Sequence, residues 1–171
     1  LDSKSTANVI YALWLSPDGV YKMSQEIKGM VQTSLNFGTA YLDADKLVYK
    51  YLIRSNTAAG KKLLLERVTT FVKHLSGNVV TMSDYPAWEY KSDSQLRKIC
   101  VDSFTNVYGH EPEVTSIHAG LECGILAGKM SGVDMISFGP TLESVHMPDE
   151  CMNVASVERT WEYLREILKS L

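Results

Sequence analysis

Met30-Val31-Gln32-Thr33-Ser34-Leu35-Asn36-Phe37-Gly38 alternates apolar and polar side chains. Val31, Thr33, Leu35 and Phe37 fall on one face and Gln32, Ser34 and Asn36 on the other, the pattern of a half-buried strand. Gly38 is expected to start a second strand that runs through Tyr41, and Asp43-Ala44-Asp45 to turn the chain. Lys46 to Arg54 then alternates again, with Leu47, Tyr49, Tyr51 and Ile53 opposite Val48, Lys50, Leu52 and Arg54. Strands joined this closely predict an antiparallel meander, one face covered and the other open to solvent or to a cleft.

Helices flank this sheet. Ser5 to Leu15 places Val9, Ile10, Leu13 and Trp14 at helical spacing before Ser16-Pro17-Asp18-Gly19 ends the run. Ala58 to Leu75 carries a stripe of Leu64, Val68, Phe71, Val72 and Leu75, with Gly77 where a carboxyl-terminal cap is expected. Asn78 to Met82 reads as a further strand, and the aromatic stretch Asp84-Tyr85-Pro86-Ala87-Trp88-Glu89-Tyr90 changes the texture of the chain. A domain boundary is expected between Tyr85 and Asp93.

Beyond it helix and strand alternate. Ser94 to Tyr108 is expected as a helix with Leu96, Ile99, Cys100, Phe104 and Val107 inward, Glu113 to Ile117 as a strand and Leu121 to Met130 as a short helix. Asp134 to Phe138 follows as a strand. Asn153 caps a last helix whose expected buried stripe is Val157, Trp161, Leu164, Leu168 and Leu171. The alternation predicts part of an α/β layer with a parallel sheet, but the strands are too few to close one. The expected fold class is α/β: an α+β portion with an antiparallel sheet, then a partial α/β domain.

Composition narrows the function classes. The 171 residues are 45% apolar and 22% charged with a net charge of -3, an ordinary folded chain rather than a disordered one. That balance gives no basic footprint for nucleic acid or an anionic membrane, and no apolar run approaches the about 20 residues of a membrane-spanning helix. Cys100, Cys123 and Cys151 have no framework spacing and are expected as reduced thiols in a cytoplasmic protein. The chain opens on Leu1 without an initiator methionine, so a piece of something longer is expected.

Chemistry concentrates near the carboxyl end. Ile117-His118-Ala119-Gly120-Leu121-Glu122-Cys123-Gly124 and Ser144-Val145-His146-Met147-Pro148-Asp149-Glu150 each pair a histidine with a glutamate four positions on. Histidine and carboxylate bind zinc or move protons near neutral pH. Gly120 and Pro148 argue against a continuous helix across either pair, so neither is the helical HExxH signature. His146, between Gly139-Pro140 and Pro148, belongs to a rigid irregular loop placed to point into a cleft; an ordinary surface histidine fits the same pattern. His118 fits a hydrogen-bonded, half-buried histidine as well as a functional one. Arg54 can grip a carboxylate in a bidentate pair or stand as a solvated strand-end charge. Gly120 suits a tight turn or the close approach of a ligand.

These residues resemble a known family. The two histidine motifs, with Ile136-Ser137-Phe138-Gly139-Pro140 between them, are similar to the carboxyl-terminal signature of the aminoacyl-histidine dipeptidases. That family, also called Xaa-His or cytosol non-specific dipeptidases, belongs to the co-catalytic zinc exopeptidases. Pro17-Asp18-Gly19-Val20, Met30 to Gly38, Ile53-Arg54-Ser55 and Tyr85-Pro86-Ala87-Trp88 extend the resemblance upstream. It implies a catalytic α/β domain interrupted by a lid, of which this chain is roughly the last third. Residues 1–88 would be the second half of the lid and residues 89–171 the end of the catalytic domain.

By resemblance, His146 is the last zinc ligand, Arg54 holds the free carboxylate of a dipeptide, and Gly120 lies near the bound substrate. The remaining zinc ligands and the glutamate base would lie upstream of Leu1. His118, Glu122 and Glu150 have no assigned role. Met147 stands where a serine is usual, which removes no ligand. The implied activity is hydrolysis of dipeptides such as Xaa-His by a zinc-activated water, with two zinc ions in the whole enzyme and a homodimer formed through the lid. The chain alone is expected to be inactive. A non-catalytic dimerisation module derived from the family, or a standalone small protein put to another use, are the competing readings.

Overall fold

The computed structural model describes residues 2–116 and 122–171. In chain order the elements are α1 (Ser3–Trp14), β1 (Gly19–Met23), β2 (Val31–Asp43), β3 (Lys46–Ser55), α2 (Ala58–His74), α3 (Gln95–Tyr108), α4 (Glu122–Lys129), β4 (Leu142–Glu143), β5 (Cys151–Met152) and α5 (Val154–Ser170). They divide into two compact units, Leu1–Tyr90 with Thr115–Lys129, and Lys91–Val114 with Met130–Leu171.

The first unit is built on an antiparallel sheet in the order β1-β2-β3. Leu35, Leu64 and Val68 form its core, with Tyr21, Tyr51, Ile53 and Val72 packed around them, so α2 covers the face that the alternation marks as apolar. Lys50, Leu52 and Arg54 line the opposite, exposed face of β3. Gly38 starts no new strand. β2 runs through it, and the register slips between Phe37 and Thr39, so glycine occupies a bulge that lets one long strand bend. β1, which the residue pattern did not mark, pairs with β2 through an irregular register at Val20, Lys22 and Met23, and that irregularity erases the alternation.

Local chemistry fixes the helix ends. Thr57 caps α2 by accepting the Gly60 N–H at 3.2 Å. At its far end Ser76, not Gly77, takes the left-handed conformation (φ 62). The Gly77 N–H closes the turn on the Val72 carbonyl at 2.9 Å, and a Cβ on Gly77 would sit 2.7 Å from Val72 Cγ1. Glycine is needed there for close approach rather than for φ. Asn78 to Met82 forms no strand. Lys61 Nζ instead ties the following stretch to α2, through Asp84 Oδ1 at 2.5 Å and the Tyr85 carbonyl at 2.6 Å.

The second unit packs α3 against α5. Its core is Cys100, Tyr163 and Ile167, with Leu96, Ile99, Phe104, Tyr108 and Ile136 against it. Ser94 caps α3 by accepting the Arg97 N–H, Asp134 accepts the Leu96 N–H at 3.0 Å, and Gly109 closes the helix at φ 75. Asp134 to Phe138 lies along these helices without entering a ladder, and the described part of Glu113 to Ile117 is likewise no strand. An apolar run becomes a strand only where a neighbour pairs with it, and among the described residues none does. No parallel sheet forms among them; the only ladder in this unit joins β4 to β5, antiparallel.

α5 corrects the expected stripe. Trp161 and Leu168 are 58% and 61% exposed, whereas Tyr163 and Ile167 are 8% and 4% exposed. The helix offers two apolar stripes, and the inner one is selected by Tyr163, whose hydroxyl donates to the Cys100 carbonyl at 2.9 Å. Its ring meets Phe104 and Phe138 edge-on, at 5.3 and 4.9 Å between centroids.

Candidate functional site

His146 sits in the loop Ser144 to Glu150, closed by the β4–β5 ladder with Leu142 opposite Met152 and Glu143 opposite Cys151. The base of this hairpin is anchored to α5. The Asn153 N–H donates to the Thr141 carbonyl at 3.0 Å, and the Thr141 N–H to Ser156 Oγ at 2.9 Å. Asn153 also caps α5 by accepting the Ser156 N–H. Within the loop, the Met147 N–H reaches the Ser144 carbonyl at 2.9 Å and the Glu150 N–H reaches the Met147 carbonyl at 3.1 Å. Ser144 Oγ donates to Asp149 Oδ2 at 3.1 Å.

The histidine itself is exposed and holds φ at 68, a left-handed backbone rare for a residue with a side chain. Its N–H donates to Glu150 Oε2 at 2.8 Å. Glu150, a residue the sequence offered without a role, is thus the backbone partner of His146. The spacing of four that invites a shared metal serves a turn instead.

Arg54 lies on the exposed face of β3, opposite Ser34 in the β2–β3 register. Behind it, Thr33 Oγ1 and Ser55 Oγ meet at 2.9 Å, and Ser55 Oγ donates to the Thr57 carbonyl at 2.9 Å. This hydroxyl cluster joins the end of β3 to the start of α2. Arg54 and His146 fall in different compact units. Gly120 and His118 lie outside the described residues. Just beyond them, α4 lies against the aromatic stretch: a Cβ on Gly124 would stand 2.8 Å from the Pro86 carbonyl oxygen, and one on Gly128 3.1 Å from Pro86 Cγ. Pro86-Ala87-Trp88 and Glu122-Cys123-Gly124 therefore belong to one packed feature.

A cavity of about 310 Å³ opens in the second unit among Phe104, Tyr108, His110, Phe138, Thr141 and Arg159, and His146 does not line it. The Tyr108 hydroxyl there donates to the Arg159 carbonyl at 2.6 Å. Burial, then the neighbouring Cys100, pushes the Tyr163 phenol far above its usual range. Burial also raises the Cys100 thiol, which makes it a packing group rather than a nucleophile.

As a donor for zinc, the imidazole of His146 fits one coordination position, whereas a catalytic zinc takes about three protein ligands. No cluster of three or more His, Cys, Asp or Glu able to hold a metal is gathered among the described residues. Among them too, no helix is long and apolar enough to cross a membrane.

A family model for peptidases of families M20, M25 and M40 matches residues 14–170. The chain belongs to this peptidase family. Over 171 residues it is 32% identical to the cytosol non-specific dipeptidase of Escherichia coli (strain K12), a match covering 100% of this chain and 35% of the relative. The crystal structure of aminoacylhistidine dipeptidase from Vibrio alginolyticus superposes with a TM-score of 0.88 at 32% identity, over 99% of this chain and 34% of that one. Aminopeptidase PepT from Bacillus cereus ATCC 10987 shares the fold, with a TM-score of 0.65 at 16% identity over 97% of this chain and 45% of that one. The chain spans about a third of the length of the two dipeptidases. Its mixed α/β architecture with antiparallel sheets matches that of the Vibrio alginolyticus enzyme.

Proposed function

We propose that this chain supplies the carboxyl-terminal part of a zinc-dependent dipeptidase that hydrolyses dipeptides such as Xaa-His. The observation that carries the reading is His146, exposed on a loop whose backbone is fixed by the β4–β5 ladder and by Glu150. When bound, zinc activates the water that cleaves the peptide bond. His146 holds one ligand position toward it. Arg54, on the open face of β3, takes the terminal carboxylate of the substrate and so limits activity to very short peptides. Gly120, outside the described residues, is assigned to the substrate's surroundings by resemblance alone.

Residues 1–88 are read as the second half of a lid and residues 89–171 as the end of a catalytic domain. Among the described residues β3 is an edge of its sheet, a position that suits pairing with a second copy in a homodimer. The cytosolic naming of the Escherichia coli relative supports a cytoplasmic location.

The test is a graft. This chain replaces the matched third of the Escherichia coli dipeptidase, and zinc content and dipeptide hydrolysis are measured with and without His146→Ala. The expected result is a zinc-dependent dipeptidase that loses bound zinc and activity in the variant. A folded graft whose His146→Ala form keeps its zinc and its turnover overturns the assignment.

A further inference from the structure

We infer that Glu150 is the positioning residue for His146: its carboxylate holds the histidine backbone in the left-handed conformation that sets where the imidazole is presented. The inference deepens the reading of His146 as a metal ligand and, for its purpose, rests on it. Left-handed backbone at a residue with a Cβ is strained and persists only where the surroundings over-determine it. Here the determinants can be named.

The acceptor is charged, and a hydrogen bond to a carboxylate is shorter and stronger than one between neutral groups. It is also anchored. Glu150 directly precedes Cys151, which is laddered to Glu143 and whose strand leads to the Asn153–Thr141 bond and the cap of α5. The His146 N–H is thereby tied to the one part of the hairpin that is fixed to a helix. The Met147 to Ser144 bond closes a turn with His146 as its third residue, and the Glu150 to Met147 bond closes the loop after it, but neither engages the His146 N–H. Without the carboxylate, that N–H turns to water, and only the Ser144–Met147 turn bond opposes relaxation of φ to negative values. Such a change swings Cβ, and the ring with it, to another side of the loop. Ligand groups need holding to within about 0.5 Å and 10–20° to work, so a backbone flip at the ligand is not tolerated.

The test begins with solution NMR of the 171-residue chain. The wild type is expected to show a downfield, slowly exchanging His146 amide and the strong intraresidue HN–Hα cross-peak of positive φ. In Glu150→Ala, loss of a charged acceptor is expected to speed exchange at His146 about 10-fold or more. The cross-peak weakens, while the signals of Asn153, Ser156 and Tyr163 stay in place. Glu150→Gln, whose amide oxygen still accepts, is expected to keep most of the wild-type pattern. An unchanged His146 amide in Glu150→Ala overturns the inference, as does a disturbance spread evenly through the hairpin and α5. Should Glu150→Ala fail to fold, the wild type decides, because an unprotected His146 amide overturns it as well.

In the grafted dipeptidase, Glu150→Ala is expected to weaken zinc binding about 10–100-fold, the usual range for a residue that orients a ligand, with Glu150→Gln restoring most of it. If His146→Ala removes zinc but Glu150→Ala leaves affinity unchanged, the positioning role fails alone. If His146→Ala leaves zinc in place, the ligand assignment fails, and the NMR result still decides whether Glu150 sets the backbone.

Discussion

Gly60→Ala tests how tightly the Arg54 end of β3 is built. Gly60 lies in the first turn of α2, and a Cβ there would fall 2.5 Å from Thr33 Oγ1, 2.6 Å from Ser55 Oγ and 2.9 Å from Thr57 Oγ1. These distances are up to about 1 Å short of the roughly 3.5 Å at which heavy atoms rest. Helix propensity argues the other way, since alanine gains at most about 1 kcal/mol over glycine, and less in a first turn. The neighbours cannot give cheaply. Thr33 is 3% exposed and β-branched, and its hydroxyl is bonded to Ser55, which is bonded in turn to Thr57. Overpacking costs about 1–3 kcal/mol, and each hydroxyl bond broken to make room adds about 1 kcal/mol. The net expectation is destabilisation by about 1–3 kcal/mol, read as a lower urea midpoint at an unchanged slope. In a Ser55→Ala background part of the crowding is gone, so the cost of Gly60→Ala should shrink. A midpoint that is unchanged or higher in Gly60→Ala would mean that propensity outweighs the crowding and that the cluster yields freely.

Other outcomes follow from the second unit and from the proposed site. Tyr163→Phe keeps the edge-on ring contacts but loses the bond to the Cys100 carbonyl, so it should cost about 1 kcal/mol, whereas Tyr163→Ala should cost about 3–5 kcal/mol; equal losses in denaturant titrations would contradict this. The Asp134 carboxyl is held below its usual 3.8, first by the Leu96 N–H. A depressed folded pKa gives stability that is present above the unfolded value and lost as the pH falls through the folded one. Acid titration below 3.8 should therefore weaken the wild type more steeply than Asp134→Asn, and identical acid slopes would count against the bond. In the grafted dipeptidase, Arg54→Ala should raise KM for dipeptides about 10–100-fold, as expected for a lost charge-assisted bond, without changing zinc content; unchanged KM would remove Arg54 from carboxylate binding. The 171-residue chain by itself should show no zinc-dependent dipeptide hydrolysis, and measurable turnover would sink that expectation.

The part of the fold legible in the sequence is the part held by contacts within it. Alternation along β2 and β3 picks out Leu35 and Ile53 as inward and Arg54 as outward because α2 covers one face and supplies the selection. The stripe of α2 is legible for the same reason. α5 is harder, since Val157-Trp161-Leu164-Leu168 and Ser156-Tyr163-Ile167 are both regular, and the second contains a polar residue. Hydrophobicity ranks the first stripe higher. The buried tyrosine and serine win because their hydroxyls find partners, Tyr163 at the Cys100 carbonyl and Ser156 at the Asn153 carbonyl and the Thr141 N–H. A scale that scores residues singly cannot register such pairings. Asp134 to Phe138 fails as a strand in the opposite way: its composition suits one, but a ladder requires a neighbour that composition does not reveal.

The histidine motif shows the same division at the scale of a site. Gly139-Pro140 and Pro148 make it legible that His146 stands in irregular backbone, and four-residue spacing makes it legible that Glu150 is near. What spacing cannot say is which atom of the histidine the carboxylate meets. A carboxylate facing the ring would fix its tautomer or share a metal. Facing the backbone N–H, it fixes φ, and through φ the direction in which the ring leaves the loop. The observed 2.8 Å contact is to the backbone. That Glu150 oxygen is thereby committed to the His146 backbone and, through it, to the placement of the ring. The two residues thus divide the work: His146 is the candidate ligand, and Glu150, which the sequence left without a role, is its brace.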